Sequence, residues 1–195
     1  MSVPSAAQDN RRVFAGALFG VSTLSADARS VTTPTDAAVS LYEPRNGAAL
    51  NVFAGIHTAQ YFSVQTNWMW NRNDLTLISL STAPQGGVFS EQHRNSRQHA
   101  FVLDGLVYFR RLDSRIRPYL GTGLSVLRFS SEAIGSTRIG LRSHVGIDVT
   151  LSRELGFRYS FSETISGNPI GPSLTPPGQR GLMNFQNLFG FVSRF

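Results

Sequence analysis

The chain has 195 residues, 41% of them hydrophobic, and its 18 basic and 12 acidic residues leave a net charge of +6. No window approaches 18 consecutive apolar residues, which excludes a transmembrane helix. Membrane-crossing strands stay open, since these need only about 9–11 residues each. The absence of cysteine excludes a disulfide framework, a thiolate metal site and a cysteine nucleophile.

The length suits one domain. Every basic residue is arginine, which a GC-rich coding bias explains as well as selected chemistry does. The arginines are scattered rather than clustered, so no nucleic-acid partner is expected. Residues 1–11 are too short and polar for a secretory signal. They resemble the tail of one, with Ser5, Ala6 and Ala7 where a peptidase would cut. The expectation is a mature N-terminal tail, its export signal removed, ahead of one domain over 12–195; the alternative is a disordered cytosolic tail.

Eight runs alternate with period two, the spacing that sends successive side chains to opposite faces of a sheet. The first, Arg12 to Leu24, has Val13, Ala15, Ala17, Phe19 and Val21 on one face and Phe14, Gly16, Leu18, Gly20 and Ser22 on the other. Its orientation is ambiguous. Residues 25–46 are rich in Ser, Thr, Ala and Pro and show no usable period. The second run, Ala48 to His57, groups Leu50, Val52, Ala54 and Ile56 against Asn51, Phe53, Gly55 and His57, with His57 read as interfacial. Thr58, Ala59 and Gln60 then form a hairpin-length link.

The third run, Tyr61 to Asn73, opposes Phe62, Val64, Thr66, Trp68 and Trp70 to Ser63, Gln65, Asn67, Met69 and Asn71. Two tryptophans near one end of an apolar face suit an interfacial girdle; core tryptophans of a soluble sheet would need partners for their indole N–H groups. A polar stretch over roughly 79–98 reads as a loop. The fourth run, His99 to Arg110, sets Phe101, Leu103, Val107 and Phe109 against Val102, Asp104, Leu106, Tyr108 and Arg110. The charged link RLDSRIR leads to the fifth, PYLGTGLSVLRF, with Leu120, Thr122, Leu124 and Val126 opposite Tyr119, Gly121, Gly123, Ser125 and Phe129. Its paired glycines leave room for bulky neighbours across a narrow interior, or for a bend in a curved sheet. They are not a nucleotide loop, because no helix start follows them.

A loop over 130–137 precedes the sixth run, Arg138 to Leu151, in which Ile139, Leu141, Val145, Ile147, Val149 and Leu151 oppose Gly140, Arg142, His144, Gly146, Asp148 and Thr150. SRE is the next short link. The seventh sets Leu155, Phe157, Tyr159 and Phe161 against Gly156, Arg158, Ser160 and Ser162. The Pro- and Gly-rich segment 167–181 reads as a loop. The eighth run ends the chain as MNFQNLFGFVSRF. Phe185, Phe189, Phe191 and Phe195 lie on one face, and Gln186, Gly190 and Arg194 on the other.

Links after the second, fourth and sixth runs are tight, and those after the first, third, fifth and seventh are long. In an up-and-down barrel this sorts all the tight turns to one rim and all the long loops to the other, an asymmetry of outer-membrane barrels. A Greek-key sandwich would not sort its loops this way. The polar faces carry too few long charged side chains, and too many glycines, for a solvated exterior; they suit a narrow lumen. The opposite faces are branched or aromatic, with no charge mid-strand, as a lipid belt requires. The expected fold is therefore all-β: an eight-stranded antiparallel up-and-down transmembrane β-barrel with short periplasmic turns and long extracellular loops.

PYLGTGLSVLRF, the run GIDVTLSRELGFRYSFSE and the terminal FGFVSRF together resemble the small bacterial outer-membrane β-barrel family, the eight-stranded group like the OmpA transmembrane domain. The specific part covers about 117–195; the first half agrees in strand count and patterning only. The resemblance implies a Gram-negative cell envelope and outer-membrane location. It also implies export, periplasmic chaperones and the barrel-assembly machinery as biogenesis partners, with Phe189, Phe191 and Phe195 as the assembly signal. No peptidoglycan-binding domain is expected after the barrel, so cell-wall anchorage is not carried over from the resemblance.

Gln65, Asn67, Asp104, Arg142, His144, Asp148 and Arg158 are the expected lumen network, and Trp68, Trp70, Phe157 and Tyr159 the lipid-interface aromatics. Outer-membrane lipid and lipopolysaccharide are the expected surroundings of a monomer. No catalytic residue, cofactor or metal is expected. The leading reading is a structural or surface-interaction barrel with a plugged lumen in which the acids and arginines pair. One alternative is a porin-like, anion-leaning channel for small solutes. The other is a lipid-modifying enzyme drawing on His93, Ser96 and His99, although no acid is evidently paired with them.

Overall fold

The computed structural model describes residues 12–25, 28–31, 38–44, 46–83, 86–131, 134–167 and 181–195. The tail 1–11 and most of the Pro- and Gly-rich segment, 168–180, lie outside the described residues. Ten strands run in order: β1 (Val13–Ser25), β2 (Ala28–Val31), β3 (Ala38–Pro44), β4 (Gly47–His57), β5 (Phe62–Ala83), β6 (Gly86–Tyr108), β7 (Ile116–Ser131), β8 (Ile134–Thr150), β9 (Leu155–Gly167) and β10 (Gly181–Arg194).

Eight of them, β1 and β4 to β10, close into an all-antiparallel barrel. Each pairs with its neighbour in sequence, β10 returns to β1 (Phe19 opposite Phe189), and β1 pairs with β4. Closure leaves no open edge around the ring, which is the condition for a sheet to cross lipid. The tight links, 58–61, 109–115 and 151–154, share one rim with Val13 and Arg194.

Alternation sorts the side chains as the period demands. In β4, Asn51, Phe53, Gly55 and His57 are buried while Val52, Ala54 and Ile56 are exposed. The ambiguous first strand turns Phe14, Leu18, Ser22 and Leu24 inward and Val13, Ala17, Phe19 and Val21 outward. Large apolar side chains cover the exterior, among them Phe101, Leu103, Leu124, Leu141 and Phe191, and Ile139 is 75% exposed. An exterior this apolar is a lipid-facing belt.

The structure corrects the sequence reading in four places. Residues 79–98 are not a loop: β5 and β6 form one continuous ladder from Phe62 opposite Val107 to Ala83 opposite Gly86. The segment 130–137 is likewise mostly strand, with Ser131 opposite Ile134. Within 25–46, β2 and β3 form a hairpin, and β3 pairs with β5 through Ala38–Pro44 opposite Ser81–Leu75. These pairings lie beyond the reach of β4, which meets β5 only up to Asn71. Out there the backbone ladder continues while neither face need be apolar, so hydropathy alternation fades although the strand does not. Lastly, Glu163 takes an outward position in β9, toward its loop end, on a face read as uncharged.

Candidate functional site in the barrel lumen

The inward residues stack in layers along the bore. At the short-turn end, Phe14, Phe53, Tyr108 and Tyr119 surround Arg158, whose guanidinium carbon lies 4.6 Å from the Phe53 ring centre and 5.1 Å from that of Tyr119. Arg158 Nε donates to Asp148 Oδ1 (2.6 Å), and its Nη2 donates to Asp148 Oδ2 (2.8 Å) and to Tyr108 Oη (3.0 Å). This two-point fork is the strong geometry for a guanidinium and a carboxylate. Asp148 and Arg158 are direct cross-strand partners on β8 and β9.

Arg158 Nη1 reaches upward to Gln65 Oε1 (2.9 Å). The other end of that amide, Nε2, donates to Asn67 Oδ1 (3.0 Å) and to Asp104 Oδ2 (3.4 Å). Asp104 Oδ2 also accepts from Arg142 Nη1 (2.6 Å) and Asn67 Nδ2 (2.9 Å). One hydrogen-bonded path thus crosses the bore from Tyr108 through Arg158, Gln65 and Asp104 to Arg142. All five are buried, and a charge held there costs several kcal/mol unless it is paired.

Asp104 and Arg142 are not on adjacent strands. They meet because Gly123 on β7 stands between them, opposite Asp104 on one side and Arg142 on the other. A Cβ at Gly123 would run into Asp104. Gly121, two residues earlier, makes the same allowance for the ring of His144, its partner on β8. His144 Nε2 lies 3.4 Å from Asp104 Oδ2 but without hydrogen-bond geometry.

Above the ion pairs, Met69, Ala100, Val102 and Leu127 form an apolar band. Amides and hydroxyls close the loop end: Ser22 Oγ donates to Asn184 Oδ1 (2.8 Å), Asn71 Nδ2 to Asn73 Oδ1 (2.7 Å) and Asn184 Nδ2 to Gln98 Oε1 (3.1 Å). Beside Gln98, a hollow of about 10 Å³, the size of one water, is lined by Leu127, Phe129 and Arg138 among others.

The seven residues expected to form the lumen network, Gln65, Asn67, Asp104, Arg142, His144, Asp148 and Arg158, therefore share one interior. His57 is a correction: it is buried there too, its Nδ1 2.6 Å from Ser63 Oγ, rather than interfacial. Sequence reasoning missed Tyr108 and Tyr119 as hydrogen-bonding and ring partners. It also placed Arg117 in a turn, although its parity with Tyr119 points it inward. Trp68 and Trp70 are half-buried toward the loop end, Trp68 against the ring of His99. Phe157 packs edge-on to Phe191, and Tyr159 Oη donates to Asn187 Oδ1 (2.9 Å). His93, Ser96 and His99 are not brought together. Ser96 faces inward and donates to the Asn73 carbonyl, whereas His93 and His99 sit on the opposite face of β6.

A closed eight-stranded antiparallel ring with a lipid-facing exterior and a polar, ion-paired interior defines the class: a small outer-membrane β-barrel. The fold is similar to that of the outer membrane protein OprG from Pseudomonas aeruginosa, with a TM-score of 0.60 at 12% identity over 95% of this chain and 96% of that one. It is similar also to Neisserial surface protein A, with a TM-score of 0.56 at 14% identity over 94% and 97%. The sequence matches no protein-family model and no curated protein.

Proposed function

We propose that the protein is a monomeric outer-membrane barrel with a structural and surface-interaction role and a lumen closed to solutes. The observation that carries this reading is the buried path from Tyr108 through Arg158, Gln65 and Asp104 to Arg142, which fills the bore with paired groups. Interiors of eight-stranded barrels are narrow enough for side chains to fill them. The projecting ends of β3, β5 and β6, beyond the belt, supply the surface for partners, and outer-membrane lipid and lipopolysaccharide surround the belt itself. Phe189, Phe191 and Phe195 act earlier, as the pattern that the assembly machinery and its chaperones read. No catalytic role is assigned to His93, Ser96 or His99, which lie on opposite faces of one strand.

The test is single-channel recording of the refolded barrel in planar bilayers. No steady unitary conductance is expected from the wild type, whereas Asp104→Ala with Arg142→Ala should admit small ions. A stable wild-type pore overturns the closed-lumen reading. Lipid A mass spectra that change on expression would overturn the non-enzymatic one.

A further inference from the structure

One row across the sheet has an unequal count of charges. Arg117, Asp148 and Arg158 are successive cross-strand partners on β7, β8 and β9, and all three face the lumen. Asp148 lies between two arginines and gives both oxygens to one of them. Its Oδ1 and Oδ2 accept from Arg158, and Oδ2 accepts again from Tyr108 Oη (3.1 Å). Arg117 receives neither. It is 0% exposed, and its Nε, Nη1 and Nη2 have no hydrogen-bond partner. It lies against the face of Tyr108, 3.8 Å from the guanidinium carbon to the ring centre, and feels the charge of its cross-strand partner Asp148 without a hydrogen bond to it. A ring face attracts a cation but offers nothing in the plane to which N–H groups point.

The wider count agrees. Among the described residues the fully buried charges are Arg117, Arg142 and Arg158 against Asp104 and Asp148, an excess of one positive charge with the histidines neutral. The Asp104–Arg142 pair is balanced, so the excess belongs to Arg117. Arg194, which reaches Thr150 Oγ1 (2.9 Å), acts on Arg117 as a further positive charge at the same short-turn mouth. Buried N–H donors without a partner are rare in folded proteins and point to a bound water or ion. Water satisfies donors but leaves the charge in place.

We propose that Arg117 holds one small monovalent anion of the halide class at the short-turn mouth of the lumen. One charge is what the count of fully buried groups requires. A halide accepts from the guanidinium N–H groups in their plane and needs no further donor, whereas an oxyanion held by the same fork would leave oxygens that Arg117 alone does not satisfy. The ion is resident rather than permeant, because the Asp104–Arg142 pair lies across the bore above it.

The experiment titrates the refolded barrel with sodium bromide against sodium gluconate at constant ionic strength, reading the midpoint of heat-modifiable gel mobility. A saturable rise in Tm of about 2–4 °C is expected with bromide. Arg117→Met should abolish the rise while remaining at least as stable as the wild type in gluconate. Crystals of the wild type grown in bromide should show an anomalous peak beside the Arg117 guanidinium, which decides the matter even if R117M does not fold. Equal Tm in the two salts with no such peak overturns the proposal in favour of water. A bromide effect that survives in R117M overturns it in favour of another site.

Discussion

Asp148 stands between two arginines and serves one, and that choice makes it the most sensitive residue of the lumen. Asp148→Asn would leave Arg158 buried with its charge unopposed, so a loss of about 3–5 kcal/mol is expected in urea unfolding of the refolded barrel. Replacing both partners by Asp148→Leu and Arg158→Met should recover most of that loss, because two desolvated charges disappear together. A single variant as stable as the wild type would show that the pair is not what holds this layer. Gly121 poses the steric counterpart. A Cβ there meets the His144 ring, so Gly121→Ala is expected to cost about 1–3 kcal/mol. Adding His144→Ser should restore stability, and a double variant no better than the single would place the strain elsewhere.

Among the elements, β10 joins the two ends of the barrel. Its Phe189 ring packs 4.5 Å from that of Phe19, and the Phe195 N–H donates to the Val13 carbonyl (2.9 Å). The Phe195 side chain, 65% exposed, adds little to that contact. Phe195→Ala should therefore lower the yield of inserted protein in outer-membrane fractions several-fold. The urea midpoint of the barrels that do insert should barely move. Unchanged insertion would show the aromatic is not part of an assembly signal. The β5–β6 hairpin marks where sequence reading stops. Through Asn73 β5 sets an apolar outward face against a mostly polar inward one because lipid and lumen demand different chemistry. Past Asp74 the residues LTLISLSTA keep the ladder but lose the contrast between faces.

For the molecule as a whole, the decisive contrast is between an apolar outside and a charged inside. Leu124 is 67% exposed and flanked by Leu103 and Leu141 on the neighbouring strands. Leu124→Arg is expected to cost about 2–4 kcal/mol in lipid vesicles if the site lies near the midplane. An unchanged unfolding midpoint would argue that this band does not face hydrocarbon. Within the runs it recognised, apart from the first, the sequence alone settled which face each residue takes, because a period of two is a local property of the backbone. It also made the Asp148–Arg158 pair legible in principle, since a short link folds β8 directly onto β9. It could not show that Asp104 meets Arg142 past a glycine, that Gln65 bridges the two pairs, or that Arg117 is buried with no hydrogen-bond partner. Those contacts join residues far apart in the chain, and only closure and register of the complete ring bring them across the same few ångströms of lumen.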